Sequence, residues 1–245
     1  MTDRILEIGS AGLESTDQRV RKLMDNMVNA DIPGYKKSEA VIRGFPLELE
    51  SATQRLGPVR PQVESSHYSN LPGALVKTGG KLDVALGTDG YFVISGPWGD
   101  GYTRDGRFQL DKDGRIITLA GNYPVLGQSG PLVVTPGADV EITQDGEVRV
   151  DRVVVDKLRV INPEQADALT PLNGSIFKRS EAASGLQEVE NPRVIQGYVE
   201  SSNVNVIDQM MEMIMVERTY NVNAKIISTR DANLSRAMEM GRPTQ

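Results

Sequence analysis

Residues 205–240 read NVIDQMMEMIMVERTYNVNAKIISTRDANLSRAMEM. From Tyr198 to Met240 there is neither glycine nor proline, in a chain that holds 24 of one and 13 of the other, and so long a silence predicts one continuous helix. Asn205 is a good N-cap, and Asp208 stands in the first turn, where the helix dipole favours negative charge. Steps of four and three from Val206 pass through Met210, Met213, Glu217, Tyr220, Ala224, Ile227, Asp231, Leu234 and Met238. Eight of these ten are apolar or aromatic, which is the period of a coiled-coil seam. Ile207, Met211, Ile214 and Val216 widen the stripe over its first half, so this helix has more than one narrow face to bury.

One partner stands at the other end of the chain. Between Asp3 and Ala30, Ile5, Ile8, Leu13, Val20, Leu23, Met24, Met27 and Val28 recur mostly at helical spacing among Arg4, Glu7, Glu14, Asp17, Arg19, Arg21 and Lys22. Gly9 and Gly12 weaken this helix by roughly 1 kcal/mol each relative to alanine, yet they allow another helix to come close. Pro33 and Gly34, after Asp31 and Ile32, stop it.

Between the helices the signal changes twice. Residues 38–67 carry Gly44, Pro46, Gly57, Pro58 and Pro61 with short alternations at Val41, Arg43, Phe45 and at Leu47, Leu49, which reads as an extended arm. From residue 71 to 197 short β-prone runs follow one another: 82–86, 91–94, 102–103, 108–110, 116–119, 132–134, 140–142, 148–150, 153–155 and 158–161. Asp-Gly pairs at 89–90, 100–101, 105–106, 113–114 and 145–146 predict turns between them, because glycine supplies positive φ and aspartate tolerates it. The expectation is an α+β protein, a central antiparallel all-β domain bracketed by long N- and C-terminal helices that pair in a coiled coil. Residues 1–34 are the N-terminal helix of a helical core domain, 35–70 an extended connector, 71–197 the β domain and 198–245 the C-terminal helix of the core.

Composition narrows function by exclusion. At 245 residues and 39% hydrophobic content the chain builds a sizeable core. A net charge of −6 argues against nucleic acid, which asks for a basic patch, and Lys36 with Lys37 is too short to make one. Cysteine is absent, which removes disulfides and thiolate metal sites. Residues 1–10 place Asp3 and Glu7 where a cleavable secretory signal needs a basic region and an apolar run. The most apolar stretch, 204–216, is too short for a membrane span and is broken by Asn205, Asp208, Gln209 and Glu212.

The residues that carry chemistry are few. His67 is the lone histidine, so a nucleophile relay or zinc site needs carboxylates in place of the usual partners. Ser10, Ser129 and Ser175 lack the G-x-S-x-G elbow. Asp111, Lys112, Asp113 and Gly114 open like a calcium loop but lack a third acidic ligand and the closing glutamate. Asp105 and Asp111 are the pair that a cell-wall glycan hydrolase would use, whereas hairpin turns explain every Asp-Gly together. Trp98, between Pro97 and Gly99, is either a glycan-stacking platform or a loop anchor. No catalytic, cofactor-binding or metal-binding residue is expected, and the chain is not expected to be an enzyme.

Four blocks carry a family resemblance. NMVNADIPGYK at 26–36, with Asn26, Asn29, Pro33, Gly34 and Tyr35, resembles the stretch that follows the first helix in the rod and hook family of bacterial flagellar axial proteins; Ile32 departs from the family's usual threonine. TGGKLDVALGTDGYFV at 78–93, with Gly90, YTRDGRF at 102–108, with Asp105 and Gly106, and QGYVESSNVN at 196–205, with Gly197, Asn203 and Asn205, are similar to further family motifs in the same order. Ser10, Ala11 and Gly12 fit an early small-residue motif. Length and the run at 123–132 look most like the proximal-rod type, with the distal-rod type next.

The resemblance implies a structural subunit of the basal-body rod, a helical tube that crosses the periplasm and transmits torque for motility. Its implied partners are copies of itself and other rod and hook proteins, in a helical homo- and hetero-oligomer, and the type III export apparatus, which exports it without a cleaved signal. The expected assembly residues are Ile5, Leu13, Val20, Leu23 and Met27 on the first helix. On the last they are Val206, Met210, Met213, Tyr220, Ala224, Ile227 and Leu234. The residue pattern points the same way, because burial contributes about 25 cal/mol per Å² and a seam this wide exceeds what one companion helix covers. Non-closing contact between copies covers the rest and yields an open helical assembly. Residues 71–195 are expected to fold alone.

Overall fold

The computed structural model describes residues 4–42, 63–164, 168–180 and 185–240; the alternation expected at 43–49 lies outside them. The chain gathers into two compact units. One comprises Met1–Met27, Ser38–His67 and Val206–Gln245, the other Val28–Lys37 and Tyr68–Asn205.

The first unit is built on α1 (Arg4–Val28) and α2 (Val206–Met240), with strands β1 (Ser38–Ile42) and β2 (Val63–Tyr68) paired in a two-stranded sheet. α2 begins directly after Asn205, with Asp208 in its first turn. The helices run antiparallel. Gly12 lies beside Asn223, where an added Cβ would sit 3.4 Å from its Nδ2, Arg19 meets Glu212 at 2.6 Å, and Asn26 meets Gln209 at 3.0 Å. An alanine Cβ at Gly12 would make ordinary van der Waals contact with Asn223, so the expected close approach does not depend on glycine at this position.

The second unit is all β. Its strands are β3 (Leu75–Lys77), β4 (Val84–Leu86), β5 (Tyr91–Gly96), β6 (Gly99–Thr103), β7 (Phe108–Leu110), β8 (Ile116–Thr118), β9 (Val140–Ile142), β10 (Glu147–Val150) and β11 (Val153–Lys157). They continue as β12 (Val160–Pro163), β13 (Leu169–Asn173), β14 (Ile176–Arg179), β15 (Leu186–Glu188), β16 (Val194–Gln196) and β17 (Tyr198–Glu200). The largest sheet has the order β13-β14-β6-β5-β12-β15; β11-β10-β9 form a second, and β16-β4, β17-β3 and β7-β8 are pairs. All the registered pairings are antiparallel. β5 is buried on both faces, which is why it reads as an unbroken apolar run. Phe92 and Ile94 enter the larger core with Val84, Phe108, Val125 and Val160, while Tyr91 and Val93 enter a smaller one with Tyr102, Ile161 and Phe177.

Three expected turns are corrected. Asp89 and Gly90 do not join a hairpin, since β4 pairs with β16 and β5 with β6 and β12; the 86–90 carbonyls turn instead onto Arg104. Asp100 and Gly101 lie inside β6. The reversal is at Pro97 and Trp98, because the indole covers two glycines, where a Cβ at Gly96 or Gly101 would fall 2.5 or 3.1 Å from it. Trp98 also meets Tyr123 edge-on at 4.8 Å, the contact expected of a loop anchor. Gly106 joins β6 to β7 without a hairpin; a Cβ there would lie 1.6 Å from the Val84 carbonyl oxygen, so close approach is its role. Gly114 (φ 77°) between β7 and β8 and Gly146 (φ 86°) between β9 and β10 do occupy tight turns. Of Leu132 to Val134 only Val133 makes an isolated bridge, to Arg115, rather than the run forming a strand, and the strands after residue 163 carry no sequence signal strong enough to foresee.

Candidate assembly surface and the junction of the sequence motifs

α2 has two apolar faces. Gln209 and Val216 are buried and Met213, Asn223, Ala224 and Ile227 half-buried on the side that meets α1. At about 100° per residue, Ile207, Met211, Ile214 and Met215 point the other way. They remain 68%, 51%, 52% and 65% exposed, and Val222 and Ile226 are exposed beyond them. A helix apolar on opposite sides has to be covered on both.

The helix pair is pinned by a buried amide. Asn26 Oδ1 accepts the Ser38 N–H at 2.9 Å, and its Nδ2 donates to the Ser38 carbonyl at 2.8 Å and to Gln209 Oε1 at 3.0 Å. One side chain thus ties α1, the start of β1 and α2 together, and all three residues are buried.

In the β unit, residues from all four motif blocks meet around Glu200. Gly34, with φ 69°, presses its backbone against Arg104 and Asp105, where a Cβ would fall 2.3 Å from the Asp105 nitrogen, and its N–H donates to the Glu200 carbonyl at 2.7 Å. Two residues on, Lys36 Nζ donates to Glu200 Oε1 at 2.8 Å and to the Leu71 carbonyl at 2.9 Å. The Gly73 N–H also reaches Oε1, at 2.9 Å, and Arg104 Nε reaches Oε2 at 2.5 Å. The rest of the Arg104 guanidinium donates to the carbonyls of Leu86, Thr88 and Gly90. Asn203 closes the junction, accepting the Lys37 N–H at 2.7 Å and donating to the Ser69 and Leu71 carbonyls at 3.1 and 2.9 Å.

Electrostatics follow from burial. The Lys36, Arg104 and Glu200 side chains are 4%, 5% and 2% exposed. Desolvation lowers the Lys36 ammonium from its ordinary value, against the pull of Glu200. Burial pushes the Glu200 carboxyl up, but Arg104 and Lys36 together outweigh this and hold it below its ordinary value. Burial likewise pushes the nearby Tyr91 phenol up to about 12. Every charge is met by fixed donors or acceptors, so the cluster positions chain segments and holds no reactive group.

The sequence-derived residues divide accordingly. Leu23 is buried; Leu13, Val20, Met27, Val206, Met213, Ala224 and Ile227 are half-buried; Met210 and Tyr220 are exposed; the side chains of Ile5 and Leu234 lie outside the described set. The observed seam toward α1 uses Gln209, Val216 and Asn223 where steps of four and three name Met210, Glu217 and Ala224. Of the motif residues, Asn26, Gly34, Tyr35, Gly90, Asp105 and Gly106 are buried, Asn29, Pro33, Gly197 and Asn203 half-buried, and Asn205 exposed. Asp105 is gripped by Arg107 at 2.8 Å and Asp111 by Arg115 at 2.8 Å, both within tight loops. Lys36, Arg104 and Glu200 are not singled out by sequence reasoning. Each lies inside one of the motif blocks, at 26–36, 102–108 and 196–205, and Glu200 is the one charged residue of its block.

Comparison with known proteins agrees with this distribution of motifs. The family described as Flagellar basal body rod FlgEFG protein C-terminal matches residues 195–240, and that described as Flagellar hook protein FlgE/F/G D1 domain matches residues 85–150. The chain is 32% identical to the flagellar basal-body rod protein FlgF of Escherichia coli over 88% of its own length and 89% of the relative's. It is 29% identical to the flagellar basal-body rod protein FlgG of Buchnera aphidicola from Acyrthosiphon pisum, over 96% and 98%. FlgF of Rhizobium meliloti is 28% identical over 91% of each chain. This chain therefore belongs to the flagellar basal-body rod FlgF/FlgG family, whose members are structural, non-enzymatic subunits of the rod.

Proposed function

We propose that this rod subunit polymerises through α1 and α2 into a helical tube that transmits torque, and that it is the proximal, FlgF-like type. The observation that carries the first part is the exposed apolar face of α2, Ile207, Met211, Ile214 and Met215, which stays exposed with α1 docked on the other side. Covering half of each such side chain contributes about 1 kcal/mol, so the four contribute several kcal/mol per subunit on assembly. Identity supports the proximal type: the chain is 32% identical to the FlgF of E. coli and 29% identical to the Buchnera FlgG. The partners are copies of this chain and other axial proteins, reached by type III export.

Ile214→Asp tests the assembly reading. The variant is expected to melt like the wild type as a monomer, to fail to polymerise, and to leave a strain lacking the protein non-motile. Motility restored by Ile214→Asp would defeat the reading. Imaging basal bodies with the subunit labelled tests the type, with a label next to the membrane-proximal end expected and one next to the hook contradicting it.

A further inference from the structure

We propose that the tip of the hairpin between β10 and β11, Arg152 with Val153, docks into a cavity on the β unit of a second copy of this chain, walled by Leu75, Leu86 and Val189 with Asp89 at its rim. The inference concerns the β units and goes beyond the helix contacts proposed above.

The tip is a costly turn. Asp151 and Arg152 hold φ at 49° and 70° between paired strands, a two-residue reversal that needs left-handed backbone at both positions. Asp151 has a local reason to be there, since its Oδ1 accepts the Asp139 N–H at 3.2 Å. Arg152 sits where glycine is favoured, at a cost of about 1–2 kcal/mol. Beyond a pull on the Asp139 carboxyl, its exposed side chain makes no hydrogen bond or ion pair among the described residues. Strain kept without a local return marks a position that serves a contact elsewhere. The strand that follows is equally unfinished. β11 lies at the edge of its sheet, and Val153, Val154 and Val155 remain 67%, 50% and 48% exposed, an apolar run that edge strands ordinarily avoid.

The receiving site has the matching form. A cavity of about 620 Å³ opens beside the Glu200 junction, with Leu75, Leu86 and Val189 on its walls and Arg104 and Glu200 at its floor. The floor charges are buried and met by fixed partners. The exposed charge of the lining is therefore the Asp89 carboxylate, which makes no hydrogen bond or ion pair among the described residues. Leu71 and Val76, both exposed, extend the apolar lip. Aliphatic walls with a carboxylate at the rim suit an aliphatic stem that ends in a cation, which is the form of an arginine side chain.

The chain's own hairpin does not reach this cavity. Gly146, at the other end of β10, lies against Pro192 and Val194, where an added Cβ would fall 3.2 and 3.6 Å from their side chains, and Val194 pairs with Leu86 of the cavity wall. β10 therefore leads away from the cavity. Its far end, with Asp151 and Arg152, lies by Asp139 and the Lys81 ammonium 2.6 Å from it, ahead of β4. The tip and the cavity thus belong to opposite ends of the unit, and a neighbouring copy is what brings them together. Because they are different surfaces, the contact is heterologous.

The chain contains no cysteine, so two single variants can be mixed and trapped. Val153→Cys and Leu75→Cys, co-assembled and treated with a mild oxidant, are expected to form disulfide dimers, and each variant assembled by itself to form none. An assembled mixture without the disulfide, or dimers formed by Val153→Cys alone, would overturn the pairing. Charge exchange gives an independent readout. Arg152→Asp or Asp89→Arg alone is expected to raise the critical concentration for assembly about tenfold, and the two together to restore it to within about threefold. Singles without effect, or a double no better than the singles, would also overturn it. If Ile214→Asp blocks assembly while the mixed disulfide is absent from assembled material, only this contact fails; if Ile214→Asp assembles normally and the mixed disulfide forms, the helix reading fails and this contact stands.

Discussion

Truncating Glu200 to alanine should be among the most damaging single changes available in the β unit. The carboxylate is 2% exposed and receives Lys36 and Gly73 on one oxygen and Arg104 on the other. Its removal leaves two buried cations and a backbone N–H facing each other without an anion. Breaking a buried ion pair by deleting one partner costs about 3–5 kcal/mol. A domain of this size holds only about 5–15 kcal/mol in all, and each kcal/mol moves the midpoint about 2–4 °C, so a fall of about 6–20 °C is expected. Trp98 is the sole tryptophan and packs edge-on to Tyr123, so its fluorescence reports unfolding of this unit directly. Lys81→Ala, which removes an exposed pair with Asp139, is the control and should leave the midpoint in place. The pH profile adds a signature. Because the Glu200 carboxyl is held below its ordinary 4.5, it contributes stability that is fully present above that value and is lost as pH falls through the lower folded value. The gap between wild type and Glu200→Gln should therefore be wide at neutral pH and narrow below pH 4.5. A Glu200→Ala midpoint within the range of the Lys81→Ala control would refute the argument.

Other expectations follow from the same contacts. Asn26→Ala strands the Ser38 N–H and carbonyl and the Gln209 amide, and should cost about 1–3 kcal/mol in far-ultraviolet melts of the helical signal. Gly34→Ala forces a Cβ into the Asp105 backbone at positive φ, and should cost at least about 2 kcal/mol by denaturant titration of Trp98 fluorescence. A fragment of residues 28–205 should fold, whereas 71–195 should not, because the shorter piece keeps Arg104 but loses Lys36, Glu200 and all of β17; dispersed amide spectra of both fragments decide it.

The sequence made the helices legible because nothing interrupts their periodicity, and α2 starts directly after the N-cap Asn205. Hairpins closed by local geometry were legible too, at Gly114 and Gly146. Asp89-Gly90 and Asp105-Gly106 look identical in sequence but serve distant contacts, the first around Arg104 and the second against Val84, and only the folded chain reveals that. The pairing of β4 with β16 and of β3 with β17 joins segments more than a hundred residues apart, beyond the reach of any local pattern. The motif string at 26–36 showed Pro33 and Gly34 as a helix stop, not that Lys36 beyond it would be buried against Glu200. On α2 the count of four and three gave the right period but drew the inward line through Met210. In the fold Gln209 faces inward to meet Asn26, a polar contact that apolar periodicity overlooks.

The central claim is that the helices expose more apolar surface than one chain covers, so that neighbours complete them. Amide exchange along residues 207–226, compared between dilute monomer and assembled rod, tests it most directly. The account predicts weak protection in the monomer and a rise of several orders of magnitude on assembly. Strong protection in the dilute monomer, unchanged by assembly, would contradict it.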